Sequence, residues 1–244
     1  VVISIMHSNN ELGSIQPIAE IVKIAGDIPV HTDAVQSFGK VEFDFAALNV
    51  TAATISAHKI GGPLGVAALI LKRGLDLTPV LHGGGQEREI RSGTLNAPSI
   101  VAFTAAAEYA IANMATNFKK IRELRDYFVT ELKKCVTDVS INSITDPALP
   151  GIVNATFLGT ESDALLLLLD TEGISASAGS ACSAGVPRPS HVLVALGLSE
   201  SDADASLRIS IGTTNTKAEI DQVLAILPSV VERARNAFVV SELN

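Results

Sequence analysis

The sequence predicts an α/β protein, with a mostly parallel sheet in a large domain and a smaller α/β domain after it. Short apolar runs alternate with helix-patterned segments along the first third of the chain, as in sheets that are covered by helices. Apolar residues make up 47% of the 244 residues and charged residues only 18%, so a sizeable core can be buried. The length suffices for one large domain or two ordinary ones.

The first elements follow from this hydrophobic pattern. Strands are predicted at 1–6, 28–31, 50–55 and 66–71, and helical segments at 18–25 and 45–48. Pro17 suits the first turn of its helix, since that turn leaves its N–H groups unpaired. Asn10, Asp33 and Lys59 each follow a strand, and ligands of such sheets bind at the carboxyl ends of the strands. We therefore expect these three side chains to converge at one edge.

The second half carries longer helical patterns. Residues 81–94 are polar and rich in glycine, which predicts a long surface loop, and such loops are often functional. Residues 97–136 predict two helices interrupted near 113–117, and we place the domain junction there, between domains 1–115 and 116–244. The small domain is predicted to contain strands at 152–158, 174–177 and 207–211, and helices at 161–171, 190–196 and 216–234, the last opened by a capping box of Thr216 and Glu219.

Composition excludes several classes of function. The net charge of −8 and the lack of a basic run argue against a nucleic-acid surface. No apolar stretch reaches the length that spans a membrane. Cys135 and Cys182, the only two cysteines, lie far apart in sequence and indicate neither a disulfide framework nor a metal cluster. A reducing cytoplasm is the simplest interpretation of this cysteine usage.

An amine, a carboxylate and an amide are the first chemical signal. The segment 56–63 places Lys59 between an apolar strand and a glycine-rich turn, and Asp33 and Gln36 follow an earlier strand. Pyridoxal phosphate (PLP) needs a lysine for its aldehyde, a carboxylate for its pyridinium nitrogen, and donors for its ring oxygen and phosphate. Each residue also has an ordinary interpretation: a solvated lysine, a carboxylate that caps a helix, and a surface amide.

The segment 177–185 is the second signal, because it places Cys182 among small residues. A lone cysteine is most often a buried hydrophobe, but these flanks favour an exposed loop, where a thiolate can act as a nucleophile. Cys135, in a regular helical pattern, is interpreted as a packing residue. Arg208 lies in a strand pattern, where it is either a charge at the sheet edge or a bidentate partner for a substrate carboxylate.

Six stretches in this order resemble group I cysteine desulfurases of the class-V aminotransferase family, over essentially the whole chain: 6–13, 31–36, 56–63, 82–94, 177–185 and 206–212. The resemblance implies PLP-dependent transferase fold type I, with residues 1–115 as part of the PLP-binding domain and 116–244 carrying the cysteine loop. It implies conversion of L-cysteine to L-alanine, with the sulfur held as a persulfide for an acceptor such as an iron–sulfur scaffold. No metal is implied.

The resemblance also implies a role for each matching residue. Lys59 is the Schiff-base lysine and Cys182 the persulfide cysteine, and both are catalytic. His58 is catalytic and binds the phosphate together with Ser56, and Asp33 is the partner of the pyridinium nitrogen. Gln36 and Asn10 lie near the ring oxygen, and Asn10 also lies near the substrate. Thr94 reaches the phosphate in the neighbouring subunit of a homodimer, and Arg208 binds the substrate carboxylate.

One departure from the family pattern is large. The part that corresponds to roughly the first third of the family's chain is not found before Val1, and it includes a phosphate loop and a histidine that stacks on the ring. We therefore expect this chain alone to bind PLP poorly. Two alternatives stay open: a selenocysteine lyase or other PLP lyase of the same fold, and a non-catalytic fragment that dimerises or presents Cys182 to a partner.

Overall fold

A computed structural model describes residues 1–144, 146–179 and 189–242, with side chains described as far as residue 237. Cys182 therefore lies outside the described residues. The chain packs as two compact units, residues 1–8 with 16–115 and residues 9–15 with 116–244. The assignment of a PLP-binding domain and a cysteine-loop domain to these regions stays a prediction.

The first unit is built on a four-stranded sheet in the order β1-β2-β3-β4. The first three strands run parallel and β4 is antiparallel to β3, which confirms the prediction of a mostly parallel sheet. Its strands are β1 (Ile3–Met6), β2 (Val30–Asp33), β3 (Ala52–Ser56) and β4 (Ala67–Leu71), and its helices are α1 (Ile18–Ala25), α2 (Phe45–Leu48) and α3 (Ala97–Ala112).

Local chemistry sets the ends of these elements. The strand predicted at 28–31 begins at Val30 instead, because Pro29 has no N–H to give to the ladder. The Asp44 carboxylate caps α2, with its Oδ1 accepting from the N–H groups of Ala46 at 2.8 Å and Ala47 at 2.9 Å. Asn49 ends this helix in the left-handed region at φ 54°. Capping therefore stabilises a helix of a single turn.

Two apolar clusters form the core of the first unit. One joins α1 to the sheet through Ile18, Val30, Val50 and Ala53. The other consists of Ala34, Ile55, Ala57 and Phe103, and it packs α3 against the chain that follows β3. The second cluster buries Ala34, next to Asp33, and Ala57, two residues before Lys59, so it fixes the backbone at the carboxyl ends of β2 and β3.

The second unit has a three-stranded antiparallel sheet in the order β5-β6-β7. Its largest cluster packs that sheet against long helices and includes Phe128, Phe157 and Leu207, all with no exposed surface. The strands are β5 (Val139–Ile141), β6 (Ile152–Phe157) and β7 (Ser206–Ser210), and the helices are α4 (Met114–Cys135), α5 (Ser162–Thr171), α6 (His191–Ala195), α7 (Glu200–Asp204) and α8 (Lys217–Glu242).

Three predictions for the second unit were wrong or incomplete. The strand predicted at 174–177 is a single bridge between Ser177 and Arg208, since only Ser177 pairs with β7. The last helix continues to Glu242 instead of ending near residue 234. Strand β5 and helix α7 were not predicted, because three residues are too few to show alternation and α7 is polar in sequence. The Ser199 hydroxyl caps α7 by accepting from Asp202 N–H at 3.0 Å.

The capping box at the start of α8 is confirmed. Glu219 Oε2 accepts from the backbone N–H of Thr216 at 2.8 Å, and Thr216 Oγ1 accepts from the N–H of Glu219 at 3.3 Å. Within the described ranges, no helix combines the length and the apolar character that a membrane span requires.

Candidate active site

Asp33 and Lys59 are placed by two neighbouring parallel strands. Asp33 is the last residue of β2, and its Cα partner across the sheet is Thr54 of β3. Lys59 lies in a 3₁₀ turn, Ala57–Ile60, that follows β3 directly. Both side chains are exposed, and both lie at the carboxyl edge of the sheet. The structure thus brings together the amine and the carboxylate that sequence analysis selected, at the edge where ligands of such sheets bind.

The turn that carries Lys59 is held by its own backbone and by glycines. Gly62 N–H donates to the Ala57 carbonyl at 2.9 Å, and Gly61 adopts a left-handed conformation at φ 84°. A Cβ on Gly62 would lie 2.9 Å from Ala57 Cβ, so only glycine allows the chain to pass this close. The glycine-rich turn therefore fixes the backbone that carries Lys59.

Ser56 and His58 are joined at the same edge. Ser56 Oγ and His58 Nδ1 are 2.7 Å apart, and the serine is buried while the histidine is exposed. This contact fixes the imidazole ring relative to the strand end. A hydroxyl and an imidazole beside an exposed amine form a polar set that can receive a phosphate or another anion.

Asp33 keeps one carboxylate oxygen engaged with the backbone. Its Oδ1 accepts from Val35 N–H at 2.9 Å, which holds the carboxyl group at the turn after β2. Gln36 lies in that turn and its Oε1 accepts from Lys40 Nζ at 3.4 Å. Thr94 is exposed in the loop that precedes α3.

The residues at this edge form a donor set that fits PLP. It consists of the accessible amine of Lys59, the fixed carboxylate of Asp33 and the polar pair of Ser56 and His58.

Arg208 and Asn10 are brought together in the second unit. Arg208 Nη1 donates to the Asn10 carbonyl at 3.3 Å, and the arginine backbone exchanges two hydrogen bonds with Ser177, at 2.7 and 3.1 Å. Arg208 Nε is buried and finds no hydrogen-bond partner among the described residues. The strand pattern alone did not indicate that the segment leading toward the cysteine loop pairs with this arginine.

Three polar residues outside the predicted set lie near predicted residues of their own unit, one in the first unit and two in the second. Lys40 contacts Gln36, and its spacing of four residues was the only sequence signal. Asn154 is fully buried on β6, directly across from Arg208, with its Nδ2 lacking a partner in the described ranges. Glu11 is 2% exposed and accepts at 2.5 Å from Ser190 Oγ. Buried polar groups inside otherwise apolar sequence are hard to detect without coordinates.

The interpretation of Cys135 as a packing residue was wrong, because its side chain is exposed at the last residue of α4. Its thiol donates to the Leu132 carbonyl at 3.6 Å. Local burial and then the Glu131 charge raise the pKa of Cys135, while a backbone hydrogen bond opposes them. A raised pKa keeps this thiol protonated, which does not favour nucleophilic chemistry. In the part of the chain that the structure describes, no cluster of histidine, cysteine and carboxylate side chains suits a metal ion.

Comparison with known proteins decides the family. The model of aminotransferase class-V matches residues 1–223. The chain belongs to the class-V aminotransferase family. Within this family it is 46% identical to an IscS-like cysteine desulfurase of Mycobacterium tuberculosis over 238 residues, which is 96% of this chain and 61% of that protein. The chain thus spans about three fifths of the length of the curated relatives it matches.

Solved structures of class-V enzymes support the same fold. A NifS-like protein from Rickettsia africae superposes with a TM-score of 0.87 at 37% identity, over 95% of this chain and 62% of its own. A structure described as SspA in complex with cysteine matches with a TM-score of 0.70 at 36% identity, over 88% of this chain and 60% of its own. The PLP-dependent transferase fold predicted from the sequence is therefore confirmed.

His7 gives the first unit a titratable group in its interior. The side chain is 5% exposed, and its ring packs edge-on against Phe43 with the centroids 5.4 Å apart. Its Nδ1 has no hydrogen-bond partner among the described residues. Burial lowers the pKa of His7, because the charged imidazolium loses its hydration inside the protein.

We expect His7 to make the protein less stable at acid pH. Between its lowered folded pKa and the unfolded value of about 6.5, the unfolded chain binds more protons, so the free energy of unfolding rises with pH. His7→Leu should flatten this slope at pH values below about 6.5. Urea unfolding of both proteins below about pH 6.5 measures this slope, with the free energy of unfolding of each protein expressed relative to its own value at pH 7.5. If His7→Leu has the same slope as the parent protein, His7 is not the group that makes stability depend on pH.

Proposed function

We propose that this chain acts in a PLP-dependent cysteine desulfurase, which takes sulfur from L-cysteine and releases L-alanine. The observation that carries the proposal is the placement of Lys59 and Asp33 at the ends of adjacent parallel strands, in a member of the class-V family. The names of the relatives, cysteine desulfurases, and of a structure solved with cysteine support the choice of reaction and substrate.

Residues of the first unit would hold the cofactor. Lys59 would bind the aldehyde carbon, the Asp33 carboxylate would keep the ring nitrogen protonated, and Ser56 with His58 would contact the phosphate. Gln36 would donate to the ring oxygen. Asn10 belongs to the second unit, and its role near the ring oxygen rests on the family motif alone. When bound, PLP supplies an electron sink for the carbanion that forms at the substrate Cα.

The remaining steps belong to side chains of this chain. Arg208 would hold the substrate carboxylate, and Lys59 would move the proton at the substrate Cα. The Cys182 thiolate would then attack the substrate sulfur, so the S–S bond forms as the C–S bond breaks. One cysteine and the Cys182 thiol give one alanine and a Cys182 persulfide, with all atoms and electrons balanced. Cys182 lies outside the described residues, so its role rests on the family motif.

The proposal also includes a homodimer, a sulfur acceptor and a cellular location. Thr94 is exposed in its loop, as a residue must be if it is to reach a phosphate in a second copy of the chain, and we propose a homodimer on that basis. A sulfur-acceptor protein, such as an iron–sulfur scaffold, would receive the persulfide. A cytoplasmic location would keep Cys182 reduced between turnovers.

Replacing Cys182 tests the reaction. In the protein loaded with PLP and given L-cysteine, Cys182→Ser is expected to abolish the protein persulfide and to leave the cofactor absorbance in place, since serine cannot carry sulfur. Alanine release and persulfide content are measured together. Cys135→Ser is the matched control, because it replaces the other cysteine, whose exposed thiol lies at the end of α4.

Three outcomes would overturn the proposal. A persulfide that survives in Cys182→Ser assigns sulfur transfer to another group. Equal alanine release from selenocysteine by the parent protein and by Cys182→Ser, with no release from cysteine, identifies a selenocysteine lyase. A protein that binds no PLP under any of these conditions is a non-catalytic module.

A further inference from the structure

The turn that follows β2 carries a lysine that the reaction above does not use. Lys40 lies four residues after Gln36, and its Nζ is 3.4 Å from Gln36 Oε1, within reach of a hydrogen bond. The backbone of this turn is closed by Lys40 N–H donating to Ser37 at 3.0 Å and Val41 N–H donating to Ser37 at 3.1 Å. Lys40 is half-buried.

Packing places this turn against the turn that carries Lys59. Gly39 adopts a left-handed conformation at φ 71°. A Cβ on it would lie 2.9 Å from Ala110 Cβ and 3.1 Å from Ile60 Cγ2, so the backbone is held tightly between α3 and the residue that follows Lys59. Only glycine allows this approach, and it fixes Lys40 beside the reactive lysine.

The environment of Lys40 is electrostatically distinct. Burial first, and then the charge of Lys59, lower the pKa of Lys40 to about 8. Lys40 is therefore still mostly protonated at neutral pH, and its positive charge interacts with the Lys59 amine. Partial burial and the nearby Lys59 charge both make the Lys40 ammonium group costly. A hydrogen bond offsets part of this cost, and the acceptor that the structure provides is Gln36 Oε1.

The chemistry of the two side chains fixes the orientation of the amide. An ammonium group has donors only, so Lys40 can contact only the carbonyl end of the Gln36 carboxamide. The NH₂ end of Gln36 is then left as the donor. A donor is what the ring oxygen of PLP requires from Gln36, and a flipped amide would present an acceptor instead.

We propose that Lys40 is a positioning residue of the PLP site, holding Gln36 by its amide oxygen so that the amide nitrogen donates to the cofactor. The inference deepens the proposed function and rests on it. Lys40 acts through Gln36 and does not itself touch the reacting atoms.

The contact can be tested without cofactor. Competitive acetylation of the 244-residue chain at a series of pH values, read by mass spectrometry, gives the midpoint at which Lys40 becomes reactive. We expect a midpoint near 8 in the parent chain, as burial dictates. Gln36→Glu should raise it by about one unit, because a carboxylate favours the adjacent ammonium. Lys59→Met should also raise it, since one neighbouring charge is removed. A Lys40 midpoint that Gln36→Glu does not move overturns the inference.

The role is tested by PLP affinity, measured by absorbance titration. Lys40→Met is expected to weaken PLP binding about tenfold, which is the size of one oriented hydrogen bond. Lys72→Met is the matched control, because Lys72 donates to the Asn49 amide oxygen at a similar 3.3 Å and lies on a different turn. We expect the PLP affinity of Lys72→Met to stay within about twofold of the parent value. Lys40→Arg, which keeps a donor, should recover most of the loss.

A double-mutant cycle separates positioning from general structure. In a Gln36→Leu background, Lys40→Met should weaken PLP binding no further, because the amide that it orients is gone. An equal loss in both backgrounds means that Lys40 supports the fold and not Gln36, and this overturns the inference. If the parent chain binds no PLP, the proposed function fails, and the acetylation midpoints still decide whether Lys40 contacts Gln36.

Discussion

Lys59→Ala is expected to abolish the covalent attachment of PLP and to reduce alanine release from L-cysteine by about a thousandfold or more. The loss is large because two functions are removed together. One is the amine that binds the cofactor aldehyde, and the other is the base that moves the substrate Cα proton. Lys59 stands alone on the 3₁₀ turn after β3, and the exposed His58 beside it cannot form an imine.

The measurement is reduction of the PLP-loaded protein with borohydride, followed by mapping of the labelled peptide. The parent protein should carry the label on the peptide that contains Lys59, and Lys59→Ala should carry none there. Lys72→Ala is a suitable control, since it removes an exposed amine of the same unit that is held by Asn49. A label on another lysine of the parent protein would assign the cofactor to a different amine and end the proposed function.

Lys40 is the amine that makes this measurement informative. It is half-buried and its pKa is lowered to about 8, so a fraction of its amine is neutral and nucleophilic near neutral pH. A PLP label divided between Lys40 and Lys59 would mean that the cofactor aldehyde reaches both turns. A label confined to Lys59 is the expected result, because Lys59 is exposed and the Lys40 amine contacts Gln36.

The sequence predicted the sheet well, because its strands are buried apolar runs between polar turns. The helical segments predicted at 18–25 and 45–48 match α1 and α2. Pro17, placed by the sequence in the first turn of α1, is its N-cap, and the Asp44 cap of α2 was not used in the prediction. The strand bounds shifted by one or two residues, and at β2 the start follows Pro29, which has no N–H to give to the ladder. These are local effects, and local sequence determines them.

The site residues divide into those that sequence could indicate and those that it could not. Asp33 ends β2 and Lys59 follows the adjacent parallel strand β3, so topology alone placed them at the same edge. The hydrogen bond from Arg208 to Asn10 joins residues that are far apart in sequence, and no periodicity predicts it. Asn154 is a further example, because it sits in an otherwise apolar strand and its place opposite Arg208 depends on the register of β6 and β7.

Gly151 is required by the packing of the second unit, and Gly151→Ala is expected to destabilise it by about 3 kcal/mol. A Cβ at this position would overlap the Ile211 carbonyl oxygen and lie 2.8 Å from Ile121 Cγ2. The carbonyl belongs to backbone, and Ile211 N–H already donates to Gly151 at 2.8 Å, so neither chain can move aside without breaking the pairing of β6 with β7.

Urea unfolding of the parent chain and of Gly151→Ala measures this loss. Gly212→Ala is the matched control, because a Cβ there would meet only Asn215 Oδ1 at an ordinary 3.8 Å, and we expect a change within about 0.5 kcal/mol. The expected loss extends to function, since β7 carries Arg208 and its strand pairing with β6 begins beside Gly151. Equal stability of the two variants would show that the β6–β7 connection can open to admit a methyl group, and that the position of Arg208 does not depend on this close approach.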